Sequence, residues 1–237
     1  LPPAARPGLQ PFGRRPERPA AVLLVLHGGS ATGRGRAHPL RLAYLRMVPV
    51  VRALARATEP ANVAVSMLRY RIRGWNGDAA DALRDTELVL DRLAERHPGV
   101  PVALVGHSMG ARAALLAAGA PTVTAVCALA PWVESSDPVR QLVGRAVLIA
   151  HGDRDRITDP AGSLAYAARA RAVTPKVCRF ELPGDGHAML RRRHDWADLT
   201  RRFVLGELGL EPVDPLIWNA YRQPIPRGLR VELSAER

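Results

Sequence analysis

The stretch VGHSMGARAALLAAG, Val105–Gly119, sets a serine between two glycines and follows it with a run of small apolar residues. A serine held on a sharp turn between a strand and a helix leaves no room for side chains two places before and two places after it. Gly106 and Gly110 supply that room, and the turn pushes the Ser108 hydroxyl outward, which is the mechanics of a nucleophile elbow. So short a pattern recurs by chance, and its meaning depends on what flanks it.

Outward from the elbow the chain alternates between two kinds of segment. PVALVGH (101–107) reads as a strand and the alanine-rich 109–119 as a helix. AAVLLVL, ending at HGGS, is a continuous apolar run of the kind a buried parallel strand needs. NVAVSMLRY (62–70), VTAVCALA (123–130), AVLIA (146–150) and KVCRFEL (176–182) give four more strands. Helical spacing falls at 41–57 and 79–97, and further helices fit between and after the later strands at 160–172 and 195–207. Six strands alternating with helices imply one mostly parallel sheet covered on both faces. Residues 1–19 are proline-rich and read as an irregular arm, 20–210 as one domain, and 211–237 as an extension packed on it. Leu216, Ile217, Trp218 and Tyr221 would otherwise be exposed.

Composition narrows the function classes. At 237 residues and 47% apolar, the chain can bury a sizeable core, and no run approaches the length of a membrane span. Leu1 is not a methionine, so the native start is expected upstream, and a removed signal peptide stays open. Cys127 and Cys178 lie in apolar strand-like runs and read as buried thiols; bacterial cytoplasm is the default compartment. The formal net charge is +12, yet of the 34 basic residues only Lys176 is lysine. Arginines scattered through nearly every segment point to compositional bias and not to a nucleic-acid face, which clusters its charge.

Ligands of a parallel sheet bind at the carboxyl ends of its strands. After the first strand come His27, Gly28, Gly29 and Ser30; after the third, the Ser108 elbow; after the fifth, HGDRD; after the sixth, PGDGH ending in His187. A serine, an acid and a histidine thus arrive in that order at one edge. On HGGS, GHSMG, HGDRD and PGDGH, the chain resembles the α/β-hydrolase superfamily over roughly residues 20–207. The resemblance implies an α/β-hydrolase fold with helices on both faces of the sheet, an oxyanion hole from the HGG loop, an acid on HGxxD and a histidine on GxGH. Two features depart from the pattern. The usual N-terminal antiparallel strands are not evident in the arm, and only residues 131–145 separate the fourth and fifth strands, leaving at most a small lid.

The residue types suit the chemistry. A serine hydroxyl needs an imidazole to take its proton. His187 is the candidate base, with His194 placed on the surface near the last helix. A carboxylate on the other ring nitrogen fixes the tautomer and stabilises the imidazolium. The family spacing selects Asp155; Asp153 is left as a turn residue, Asp159 as an N-cap, and Asp137 as the outside candidate for the acid. Backbone N–H groups of Gly29 and Met109 are the expected oxyanion donors. His27, His107 and His151 are expected to make structural hydrogen bonds. The second strand's exit, LRYRIRGWNGD, brings Arg69, Arg71, Arg73 and Trp75 to the same edge, and Trp132 follows the fourth strand. Arg71, Trp75 and Trp132 are the candidate substrate contacts, an arginine there binding a substrate carboxylate bidentately.

The expected activity is serine hydrolysis of carboxylic esters or thioesters of small or medium acyl groups, with no metal or organic cofactor and a small-molecule partner. A peptidase has no separate supporting feature. The rival from another class is a non-catalytic binding protein on the same fold. Natural substrate and oligomeric state are not legible.

Overall fold

The computed structural model describes residues 6–234. In chain order its strands are β1 (Gly8–Pro11), β2 (Ala21–Leu26), β3 (Val63–Arg69), β4 (Val102–His107), β5 (Val123–Leu129), β6 (Ala146–Gly152), β7 (Val177–Leu182) and β8 (Val231–Glu232). Its helices are α1 (Leu42–Leu45), α2 (Met47–Thr58), α3 (Asp81–Arg96), α4 (Met109–Leu116), α5 (Pro160–Arg171), α6 (Arg193–Glu207) and α7 (Pro215–Arg222). The strands form one sheet in the order β1-β3-β2-β4-β5-β6-β7-β8. All neighbours are parallel except β1, which runs antiparallel to β3.

Every residue of β2 and β4 is buried, as strands covered on both faces must be. Alternation along β2 then divides the core. Leu23 and Val25 pack with α2, α6 and α7 on one face, while Leu24 and Leu26 pack with α3, α4 and α5 on the other. Trp196 and Phe203 of α6 anchor the first layer, and Tyr166 of α5 anchors the second.

Three details differ from the sequence expectation. The proline-rich arm carries a strand after all: Gly8–Pro11 pairs with β3 on the outer edge, where none of its residues is buried and a proline is tolerated. The expected helix over 41–57 is broken at Arg46 into α1 and α2. Pro49 lacks the N–H that would bond to the Leu45 carbonyl, and its ring crowds that carbonyl. Past residue 211 the chain forms α7, started by Asp214 accepting from the Leu216 and Ile217 N–H groups with Pro215 behind it. Ile217 and Tyr221 bury into the core, whereas Trp218 stays half exposed.

The connection from β5 to β6 holds only a short 3₁₀ turn, Arg140–Leu142, so this connection places no helical cap over the carboxyl edge. Two other strand-exit loops meet there instead. Ser30 bridges Gly74, Arg36 bridges Ile72, and the Asn76 side chain accepts from the Gly33 N–H at 2.8 Å.

The glycines around the serine are explained by backbone approach. A methyl group on Gly110 would lie 2.5 Å from the His27 carbonyl oxygen, and one on Gly106 would lie 2.5 Å from the Ala111 Cα. The start of α4 therefore rests directly on the end of β2. Overpacking of this kind costs about 1–3 kcal/mol. Gly110→Ala is expected to lower the thermal midpoint by about 2–12 °C, given roughly 2–4 °C per kcal/mol at this size. An unchanged midpoint in a melting curve contradicts the close approach.

Candidate active site

Ser108 sits between β4 and α4 at φ 56°, ψ −120°, a region that side chains seldom occupy. Its backbone N–H donates to the Leu129 carbonyl at 3.0 Å, and its own carbonyl accepts from Ala111, Arg112 and Trp132. The turn is thus pinned on both sides. The Ser108 hydroxyl lies 3.0 Å from His187 Nε2, and His187 Nδ1 lies 2.9 Å from Asp155 Oδ2.

Asp155 is embedded in donors. Ile157 and Thr158 give backbone N–H bonds to Oδ1 at 2.8 and 3.0 Å. His151 Nε2 lies 3.1 Å from Oδ2, and the Thr158 hydroxyl 2.8 Å from it. Burial opposes ionisation of this carboxyl, but the bonds from His151, His187 and the two amides outweigh it and hold its pKa far below the usual carboxylate range. The other acids are occupied elsewhere. Asp153 accepts from the Gly184 N–H at a turn, Asp159 caps α5, and Asp137 takes the Arg112 guanidinium at 2.7 Å.

Behind the ring of His187 stands His107. Its Nε2 lies 2.9 Å from the His187 carbonyl oxygen, with ring centroids 4.8 Å apart. His27 turns Nδ1 to the Gly28 carbonyl and packs edge-on against Tyr44 and Tyr70. His194 is exposed on α6. Thr158, which touches both Asp155 and His187 (3.1 Å to Nδ1), and His151 as a carboxylate partner had only one sequence signal: their closeness to Asp155 in HGDRDRIT.

Gly29 faces α4. A Cβ there would lie 2.5 Å from the Arg73 carbonyl and 2.6 Å from Met109 Sδ. Gly28 faces the serine itself, its Cβ position 3.4 Å from that of Ser108. The Met109 N–H lies in the first turn of α4 and so has no acceptor within the helix. A cavity of about 290 Å³ opens beside this loop, lined by His27, Gly28, Gly29, Arg41, Leu42 and Arg73 among others.

The candidate substrate contacts fall differently. Arg71 is bound to Asp85 through its side chain and its backbone N–H, with Asp81 3.8 Å away. Its guanidinium is therefore taken. Trp75 is only 5% exposed, and together with Trp132 it clamps Arg112, whose Cζ lies 4.5 and 4.6 Å from the two ring centroids. A buried guanidinium needs such company, and these tryptophans serve it in place of an open pocket wall. Among the described residues no cluster of three or more His, Cys, Asp or Glu side chains could hold a metal ion, and no helix is long and apolar enough to cross a membrane.

With this geometry in view, the comparisons are informative. A family model described as serine aminopeptidase, S33, matches residues 70–146, which include Ser108 but neither Asp155 nor His187. A putative α/β hydrolase of unknown function from Agrobacterium tumefaciens superposes with a TM-score of 0.68 at 18% identity, covering 90% of this chain and 96% of its own. Est1E from Butyrivibrio proteoclasticus gives 0.61 at 17%, covering 86% and 94%. The Pyrococcus furiosus esterase Pf2001 gives 0.61 at 14%, covering 81% and 84%. No curated protein sequence matches the chain. The chain has the α/β-hydrolase fold and resembles that superfamily over most of its length.

The buried histidines predict acid sensitivity. Desolvation pushes His27 down to about 4, against its bond to Gly28; it also pushes His107 down to about 3, with His187 nearby adding to the effect. Both folded values lie below the unfolded one near 6.5, so the unfolded chain binds protons that the fold refuses. Their contribution to stability is complete above about pH 6.5 and is lost as pH falls towards 4 and 3. At pH 5 unfolding should take up about two protons at this pair, a slope of roughly 3 kcal/mol per pH unit. Denaturant titrations between pH 7 and 5 measure it, and a flat profile contradicts the assignment.

Proposed function

We propose that the chain is a serine hydrolase that cleaves carboxylic ester or thioester bonds of small or medium acyl substrates through an acyl-enzyme intermediate. The observation that carries this reading is the unbroken hydrogen-bonded line from the Ser108 hydroxyl through both nitrogens of His187 to Asp155.

In this reading Asp155, ionised throughout, accepts from His187 Nδ1–H and leaves Nε2 free to take the Ser108 proton. Ser108 Oγ attacks the acyl carbon, and the negative oxygen moves towards the N–H groups of Met109 and Gly29. Loss of one such donor costs about 10²–10³ in turnover elsewhere, roughly 3–4 kcal/mol. The imidazolium of His187 then returns its proton to the leaving alcohol or thiol. Water, activated by the same ring, attacks the acyl-Ser108 ester, and collapse releases the acid and restores the serine.

The carboxyl edge, left without a helical cap by the β5–β6 connection, suits small acyl groups, and apolar Ile157 and Leu190 stand exposed in the loops that carry Asp155 and His187. The esterase description of the Pyrococcus furiosus relative, and the ferulic acid bound to Est1E in another of its structures, point the same way. The aminopeptidase family model covers only the serine and therefore adds nothing towards amides.

Hydrolysis of p-nitrophenyl acetate and butyrate tests the proposal. Ser108→Ala should lower kcat at least about 10³-fold, and Asp155→Asn about 10⁴-fold by supporting the wrong His187 tautomer. Release of p-nitrophenol by Ser108→Ala at the native rate would falsify it.

A further inference from the structure

Next to the cavity at the glycine loop lies a second cleft of about 560 Å³, lined by Arg6, Arg36, His38, Arg69 and Arg71 among others. The two share Ala37 and His38 and so adjoin, running outward from the glycine loop after β2. The first cavity adds Arg41 and Arg73. Among the described residues no carboxylate lines either space.

Elsewhere Arg112 meets Asp137, Arg179 meets Glu181, Arg192 meets Asp195 and Arg202 meets Asp198, while Arg145, Arg169 and Arg171 are held by backbone carbonyls. A smaller, separate cleft lined by Arg52 and Arg56 includes Glu59, which pairs with Arg14. Along these two spaces Arg6, Arg36, Arg41, Arg69 and Arg73 are solvent-exposed and have no carboxylate partner among the described residues, and only Arg71 is paired. One substrate carboxylate is satisfied by a single guanidinium fork. Five unpaired forks around a space in the ordinary size range of ligand sites fit a group with several anionic oxygens.

We propose that this cleft binds the phosphate groups of the acyl substrate, making the substrate a phosphate-bearing acyl ester or thioester. The proposal rests on the hydrolase reading above: the acyl carbonyl is held at Ser108 and the glycine loop, and the phosphates lie among Arg36, Arg69 and their neighbours.

Two measurements test it. Calorimetric titration of pyrophosphate into the Ser108→Ala protein at low salt reads the cleft without catalysis. Arg36→Gln/Arg69→Gln should weaken binding at least tenfold. The charge-matched Arg52→Gln/Arg56→Gln, on the other cleft, should leave it unchanged, which separates a local site from the effect of overall positive charge. No binding, or equal losses in both double variants, overturns the proposal. The second measurement compares kcat/KM for acetyl-coenzyme A with that for S-acetyl-N-acetylcysteamine, the same thioester without phosphates. A preference of tenfold or more for the former is expected, shrinking in Arg36→Gln/Arg69→Gln. Pyrophosphate binding with no such preference, including no turnover of the coenzyme A thioester at all, would make the cleft a site for a free anion and overturn the substrate assignment. Turnover of p-nitrophenyl acetate, read separately, keeps either failure distinct from failure of the hydrolase reading.

Discussion

The site depends on one backbone-to-backbone contact, the seating of Gly110 against the carbonyls at the end of β2. That contact fixes where α4 begins, and β4 fixes where the preceding strand ends. Ser108 must join them in a single residue, and it does so only at positive φ. Backbone conformations of this kind cost about 1–3 kcal/mol and persist where the surroundings over-determine them. Here the over-determination is visible. Leu129 holds the serine's N–H, three N–H groups hold its carbonyl, and the buried alanines of α4 pack against the sheet with no space for relaxation.

The same economy of space governs the acid and the base. Asp155 is buried, which alone would favour its neutral form, yet two backbone amides, a hydroxyl and two imidazoles surround it. The loop that carries it is in turn closed by Asp159 capping α5. His187 is steadied from behind by His107 at its carbonyl and from the side by Thr158. The residues that touch the serine are few, and most of the neighbouring polar groups serve to hold those few in place. The glycine loop after β2 belongs to this support as well, since any side chain on Gly29 would collide with Met109 and the Arg73 carbonyl.

Much of this was legible in the sequence because it rests on local pattern. Continuous apolar runs marked the buried strands, and the polar residues directly after them marked the edge where Ser108, Asp155 and His187 meet. What the sequence concealed depends on pairing across the chain. GLQP has no apolar alternation to announce an edge strand, since β1 is held by β3 and not by burial. The signal for α7 was present in the Asp214-Pro215 start but lay within a proline-rich stretch that reads as extended. Arg71, Trp75 and Trp132 were placed at the right edge. Their partners Asp85 and Arg112, on α3 and α4, decide what those side chains do, and nothing in local spacing reveals such partners. The arginine cleft is legible only in three dimensions, because Arg6, Arg36 and Arg69 come from three separate segments.

The central claim is that Ser108 is an activated nucleophile, and intact-mass analysis after fluorophosphonate treatment tests it most directly. The account predicts one adduct on the native chain, absent from Ser108→Ala and strongly slowed in His187→Ala. A folded native chain that takes up no adduct, or an adduct that persists in Ser108→Ala, would contradict it.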